Sequence, residues 1–442
     1  MTDRPPRSGL AARPGAADIL LRMRKSWVAC LVVVCAFAAA IPNEDYHARR
    51  LKTRRALGDG VLVLFGHTAR ETDDLRHTFV QEPNFCYLTG WLEPDAILLL
   101  TPEGETLFLP KRNPTAERYT GRKIAPEDAN AAAATGFEQV LPAAQFETQF
   151  AKALEKHARV HILPDRPGAE KLKALAPMRE FSDAAPMLAR QRAVKSEREI
   201  EMIQRSTDAT VEAHRAAWKR IAPGLYEYQV AATMTFVMQD NGCERNAYAP
   251  IVGSGPSALM LHYSKNSRKM EAGEMVLMDV GAECSAYASD VTRTVPVNGK
   301  FTPRQRELYE VVLGAEKAAL AAVKPGVIMG ANRNAPNSLY KAAYDYINSH
   351  GKDRAGEPLG KYLTHGVSHH VGLEVHDAPA ASYSQPLEAG MVITLEPGIY
   401  IPEEGIGIRV EDTVLVTADG AKVLSAALPK EPDKIEKAMA AR

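Results

Sequence analysis

The sequence predicts an α/β amino-terminal domain followed by a larger α+β carboxyl-terminal domain. Three observations lead there. Residues 45–193 alternate short apolar strands with Pro- and Ala-rich helical stretches. A long amphipathic helix then opens at Ser196, and a second follows it. From Tyr248 onward the chain turns strand-like and glycine-punctuated, with two further helices among the strands, so 195–440 reads as a separate unit. A length of 442 residues agrees with two or three domains. Hydrophobic residues make up 45% and charged ones 24%, which excludes wholesale disorder. The 54 Lys+Arg balance 54 Asp+Glu, so the basic excess of a nucleic-acid binder is absent and no such partner is expected.

Residues 1–40 read as a leader with an apolar core at 27–40. Met23-Arg-Lys-Ser supplies a basic start, and Trp27–Ala40 carries no charge before Ile-Pro-Asn-Glu-Asp. Fourteen apolar residues fall short of the roughly 20 that span a bilayer. Cleavage near Ala38–Ala40 would leave no stable membrane span and an exported protein, periplasmic or secreted. An uncleaved leader would leave it cytoplasmic or membrane-tethered. Met23 is itself a candidate start. The five cysteines, at 30, 35, 86, 243 and 284, form no CxxC pair, so neither a zinc ribbon nor a disulfide scaffold is indicated. Cleavage would leave three, an odd number, so at least one thiol stays free or pairs between chains.

Strands are expected at Gly60–Phe65, Ala96–Thr101, Glu105–Pro110 and Val160–Pro164, with a helix at Ala129–Thr135. Ser196-Glu-Arg-Glu199 opens the long helix as a capping box, and Pro223-Gly224 stops it. Further helices are expected at Glu227–Asp240, Arg304–Val323 and Asn337–His350, and two helix-plus-hairpin units could form a pseudo-symmetric pair. The charged tail from Leu428 reads as peripheral.

The chemistry lies in the second unit. Met275–Gly281 puts Asp279 inside an apolar strand, where an unpaired carboxylate would cost several kcal/mol to bury. Asp290 follows eleven residues later at the start of a β-branched strand, and Gly281–Tyr287 can turn the chain to bring the two together. A cation between them would relieve their repulsion; a salt bridge to Arg293 is the simpler alternative. Thr364–Asp377 holds four histidines in twelve residues, His365, His369, His370 and His376. Glu396 ends another buried strand before Pro-Gly, and Arg409 and Glu411, two apart, share one strand face. Singly, a strand-end carboxylate is usually a cap or an ion-pair partner. Two Asp, two Glu and at least one His embedded in apolar strands are hard to explain together without metal. An oxygen-dominated set with one imidazole suits Mn²⁺ first, with Co²⁺, Fe²⁺ or Zn²⁺ also compatible. Four carboxylates exceed what one divalent ion needs, so a pair of ions bridged by carboxylates and hydroxide fits better.

This ordered set resembles the pita-bread metallopeptidase family, which includes methionine aminopeptidase, prolidase and aminopeptidase P. The resemblance rests on Met278-Asp-Val-Gly281, Ser289-Asp-Val-Thr-Arg-Thr294, His365-Gly-Val-Ser-His369, Gly372–Asp377, Glu396-Pro-Gly398 and Arg409–Asp412. Over 45–190 it is carried by Asn84–Asp95, similar to the amino-terminal domain of aminopeptidase P and prolidase. It implies a pita-bread catalytic domain whose metal ligands are Asp279, Asp290, His369, Glu396 and Glu411. It further implies that a metal-bridging hydroxide attacks the scissile carbonyl, with Glu396 carrying the proton. His262, His365 and His376 would contact substrate or oxyanion, and Arg409 would orient Glu411 or a nearby carboxylate. His370 and helix-borne His214 read as bystanders. The substrates implied are proline-containing peptides, and a homodimer or homotetramer is expected. An amino-terminal domain argues against methionine aminopeptidase, and the complete ligand set against creatinase or a metal-free peptide-binding module. The Ser before His369 and the closing Leu428–Met439 segment resemble aminopeptidase P more than prolidase, which stays the alternative. Cys86 stands where several relatives carry an aromatic, which would loosen proline specificity unless Trp91 substitutes. The amino-terminal domain is expected to restrict access to the cleft, in its own subunit or a neighbour's.

Overall fold

The computed structural model describes residues 41–72, 79–379 and 383–441. The leader, its apolar core, Met23, Cys30 and Cys35 lie outside them. No helix among the described residues is long and apolar enough to cross a membrane.

The amino-terminal domain is built on one six-stranded mixed sheet. Its order is Gln139–Pro142, Glu105–Leu109, Ile97–Leu100, Gly60–Phe65, Arg159–Ile162, Glu180–Asp183. The predicted strands stand within a residue or two of expectation. Gly60–Phe65 is central and apolar throughout because both of its faces are covered: Leu62 and Leu64 join one core, Val61 and Val63 the other.

Ser196 caps the Glu197–Arg220 helix as expected, accepting from the Glu199 N–H while Glu199 Oε2 accepts from the Ser196 N–H at 2.9 Å. The helix pairs with Glu227–Asp240, and Pro303–Ala322 pairs with Leu339–His350. Inside these pairs lie two three-stranded sheets, one of Ile251–Ser254, Met275–Val280 and Val291–Pro296, the other of Val392–Leu395, Asp412–Val416 and Ala421–Val423. One apolar core joins both helix pairs to both sheets. The carboxyl-terminal domain thus contains two helix pairs and two small sheets.

Arg293 stitches the two sheets together. It is fully buried and donates to the carbonyls of Thr292, Glu411 and Leu428 and to Asp412 Oδ1, at 2.6–3.1 Å. The alternative of an Arg293 salt bridge to the strand aspartates is therefore corrected: its carboxylate is Asp412. The tail is corrected too. The Pro432–Ala440 helix buries Ile435 and Met439, and Lys430 pairs with Glu316 and Asp412 at 2.7 and 2.6 Å. Its charges mask a two-residue apolar stripe at i, i+4.

Between the Asp279 and Asp290 strands a small hairpin, Ala282–Cys284 with Tyr287–Ala288, turns through Ser285 and Ala286, both at positive φ. Cys243 and Cys284 form a disulfide, and the third described cysteine, Cys86, is free and buried. This gives the odd thiol that the cysteine count requires.

Candidate metal centre

Strand register brings the carboxylates together. Asp279 stands opposite Thr292 across the antiparallel pair, and Asp290 lies two residues before Thr292, so all three share a face. Glu411 reaches the same face from the other sheet: its N–H donates to the Thr292 carbonyl at 3.1 Å, and Thr292 Oγ1 donates to its Oε2 at 2.6 Å. Glu396 follows the Val392–Leu395 strand and accepts from Thr394 Oγ1 at 3.2 Å. The His369 N–H donates to Thr394 Oγ1, and its Nδ1 meets the His370 carbonyl at 3.0 Å. Nδ1 therefore donates to that carbonyl, which leaves Nε2 as the ring nitrogen that would give its lone pair to a cation on losing its proton. Nε2 lies 3.4 Å from both Asp290 Oδ2 and Glu396 Oε1. One ligand atom each from Asp290, His369 and Glu411 lie within 4.8 Å of one another.

The five expected metal ligands, Asp279, Asp290, His369, Glu396 and Glu411, line one cavity of about 390 Å³ together with His262, His365, His376 and Arg409. His370 is buried elsewhere, and His214 Nε2 donates to the Val291 carbonyl at 3.0 Å, in keeping with structural roles. Arg409 pairs with Asp279, not with Glu411, and donates to the Tyr400 hydroxyl at 2.6 Å. Tyr400 meets His365 Nε2 at 2.9 Å, so Arg409, Tyr400 and His365 form one chain. Neither Cys86 nor Trp91 reaches this cavity within the chain. Cys86 lines a second cavity of about 410 Å³, and Trp91 packs on the amino-terminal core. The amino-terminal domain contributes no described lining residue to the catalytic cavity and borders the second one instead.

Sequence reasoning missed four residues here. Tyr248 hydrogen-bonds both Asp279 and Asp290, and Thr292, Thr394 and Tyr400 fix ligands or Arg409. The Ser289–Thr294 wording contained Thr292. Tyr248 gave no signal, because its partners lie 31 and 42 residues away.

The electrostatics fit a divalent cation. Four carboxylates converge here, and Arg409 pairs directly with only one of them. Burial and neighbouring carboxylates push Asp290 above its ordinary range, push Glu411 far above, and raise Glu396 to about 7. Burial depresses His369, but its hydrogen bond to Asp290 and the nearby carboxylates outweigh that and raise it to about 9. Burial holds His365 and His376 down at about 4, so both face the cavity as neutral imidazoles. A cation would neutralise this cluster with the oxygen and nitrogen donors already converged.

The profile of metallopeptidase family M24 matches residues 201–418, and that of the aminopeptidase P amino-terminal domain matches 46–163. A Xaa-Pro aminopeptidase of Haemophilus influenzae is 35% identical over 433 residues, covering 91% of this chain and 99% of that one. A Xaa-Pro dipeptidase of Pyrococcus horikoshii is 35% identical over 353 residues, 78% and 91% of the respective chains. A zinc-substituted E. coli aminopeptidase P in complex with product superposes with a TM-score of 0.81 at 29% identity, covering 91% and 99%. Its ligand order, its carboxylate-rich centre and these likenesses agree: the chain belongs to the aminopeptidase P family of M24 metallopeptidases.

Proposed function

We propose that the chain is a metal-dependent Xaa-Pro aminopeptidase, releasing the first residue of peptides whose second residue is proline. One observation carries this reading: three buried carboxylates, the partly buried Glu396 and His369 Nε2 converge in a cavity that three further imidazoles line. What supports the proline preference is the Xaa-Pro aminopeptidase of Haemophilus influenzae, similar along nearly its whole length. Divalent cations supply Lewis acidity at such a centre, acidifying water and polarising the scissile carbonyl. Two ions, Mn²⁺ by preference, suit the count of four carboxylates against one arginine.

The chain's own groups then carry the proton traffic. Glu396 lines the cavity and is placed to accept a proton from the attacking water. As the water oxygen bonds to the carbonyl carbon, Glu396 holds that proton and passes it to the prolyl nitrogen when the C–N bond breaks. Neutral His376 faces the cavity and offers an N–H to the developing oxyanion. Arg409 anchors Asp279 and, through Tyr400, His365. A tertiary amide offers no N–H, so a pocket that takes the ring needs no acceptor for one.

Export is part of the proposal. Its support is the basic start and apolar run before residue 41 and the Cys243–Cys284 disulfide, a bond that persists in oxidising compartments.

The test compares Arg-Pro-Pro with Ala-Pro after chelation and Mn²⁺ reloading, with Asp279→Ala as the blank. Metal-dependent release of arginine, absent in the variant, is expected. Cleavage of the dipeptide alone would make the chain a prolidase, and turnover of neither would overturn the reading.

A further inference from the structure

The loop from Gly372 to Asp377 lies between the catalytic cavity and the one that Cys86 lines. Leu373, Glu374 and Val375 line the one bordered by the amino-terminal domain, while Val375 and His376 line the catalytic one. What fixes this loop lies outside both. Asp377, directly after His376, is buried, and its N–H donates to the His370 carbonyl at 2.9 Å. Its Oδ1 accepts from Arg192 Nη2 at 2.5 Å and its Oδ2 from Lys195 Nζ at 3.0 Å. Both cations are buried and belong to the segment joining the domains: Arg192 near the end of the Ala185–Ala193 helix, Lys195 just before the Ser196 cap.

Arg192 uses both terminal nitrogens of its fork. Nη2 also donates to Glu374 Oε2 at 2.7 Å, and Nη1 donates to Asn84 Oδ1 at 2.8 Å. Asn84 is held in turn by Glu82, which ion-pairs with Arg166. Gly372 is pressed so close that a Cβ there would lie 2.5 Å from Asp377 Oδ2. Burial alone would raise the Asp377 carboxyl, but Arg192 and Lys195 hold it below the usual range.

We infer that Arg192 is a positioning residue for the reaction, acting through Asp377 to set His376 from the amino-terminal domain. Arg192, Lys195 and Asp377 line neither cavity, so none of them touches substrate there. A guanidinium is needed because only a planar fork can reach Asn84, Glu374 and Asp377 together. The inference rests on the aminopeptidase reading above and supplies what that reading lacks, a role for the amino-terminal domain in the chemistry.

The experiment uses the full chain with Arg192→Gln, Arg192→Lys, His376→Ala and the double variant Arg192→Gln/His376→Ala. Kinetics on Arg-Pro-Pro are paired with hydrogen exchange of residues 370–377 in the metal-free protein. Arg192→Gln is expected to lower kcat at least tenfold with KM within twofold, since His376 acts in the transition state. Arg192→Lys keeps the charge and guards against a folding failure; a partial loss is expected. The double variant is expected to be no slower than His376→Ala alone, because both losses pass through one imidazole. Exchange across 370–377 should rise in Arg192→Gln and Arg192→Lys while the Glu197–Arg220 helix stays protected. Additive losses, or unchanged exchange in that loop, would overturn the inference. An unmodified protein that fails to turn over Xaa-Pro peptides would refute the aminopeptidase reading instead, and the exchange result would still decide whether Arg192 fixes the loop.

Discussion

At the scale of single residues, the site depends on hydroxyls as much as on ligands. Thr292 Oγ1 donates to Glu411 at 2.6 Å and receives Arg409 Nε at 3.3 Å, linking a ligand to the arginine that anchors Asp279. Thr292→Val keeps the shape and removes both bonds. Such partners typically contribute 10–100-fold to metal affinity. Calorimetric titration of the stripped variant with Mn²⁺ is expected to show a loss in that range, and unchanged affinity would remove Thr292 from the site. The nine residues named from sequence all line the cavity; the carboxylates and Arg409 stood out as polar groups in or beside apolar strands, and the histidines by clustering in the segments between elements. Tyr248 and Tyr400 did not stand out, since a buried tyrosine reads as core until its hydroxyl is placed. His214 makes a second residue-scale prediction. Burial holds its imidazole at about 3, against an ordinary value near 6.5. Between those values the unfolded chain binds a proton at this imidazole that the fold does not, so the His214 contribution to stability falls as pH drops from about 6.5 toward 3. In denaturant titrations of metal-free protein, His214→Gln is expected to flatten that limb by up to about 1.4 kcal/mol per pH unit.

At the scale of elements, local pattern located the four long helices of the carboxyl-terminal domain and the central strands of the amino-terminal sheet, but not most of the amino-terminal helices, such as Asn43–Ala56. Ser196 and Pro223-Gly224 bracket a helix by capping and backbone chemistry alone, so its ends were legible. The Pro432–Ala440 helix was not, because six charged residues between Lys430 and Lys437 hid Ile435 and Met439. The partners of Lys430 are supplied by the Pro303–Ala322 helix and the Asp412–Val416 strand, and sequence spacing does not announce them. The disulfide is another long-range choice. Cys243 and Cys284 are 41 residues apart, and Cys284 lies on the hairpin between the two aspartate ligands. Closing a loop of that length stabilises by about 4 kcal/mol on the chain-entropy account. The double variant Cys243→Ala/Cys284→Ala is expected to lower the denaturant midpoint accordingly. A midpoint equal to that of the parent would mean the pair is not bonded in the folded protein.

At the scale of the whole molecule, the amino-terminal domain was legible as an α/β unit, but not its mode of action. It reaches the chemistry through the Arg192–Asp377 contact and not by lining the catalytic cavity. The centre itself sets how the entire fold responds to metal. Without a cation, Asp290, Glu396 and Glu411 all bind protons more tightly folded than unfolded, with Glu396 at about 7. Glu396 is therefore more protonated folded than unfolded between about pH 4.3, the ordinary glutamate value, and pH 7, with Asp290 and Glu411 shifted in the same direction and the depressed histidines in the opposite one. The carboxyls' contribution to the stability of the stripped protein consequently falls as pH rises through that window, because they ionise against one another in a buried place. Loaded protein behaves oppositely: deprotonated ligands bind the ion, and binding to the folded state alone raises stability by mass action. The gap in Tm between Mn²⁺-loaded and chelated protein should thus widen from pH 5 to pH 8. Thermal scans at matched ionic strength measure it directly. A gap independent of pH would mean that these carboxylates are not the groups competing with protons for the metal.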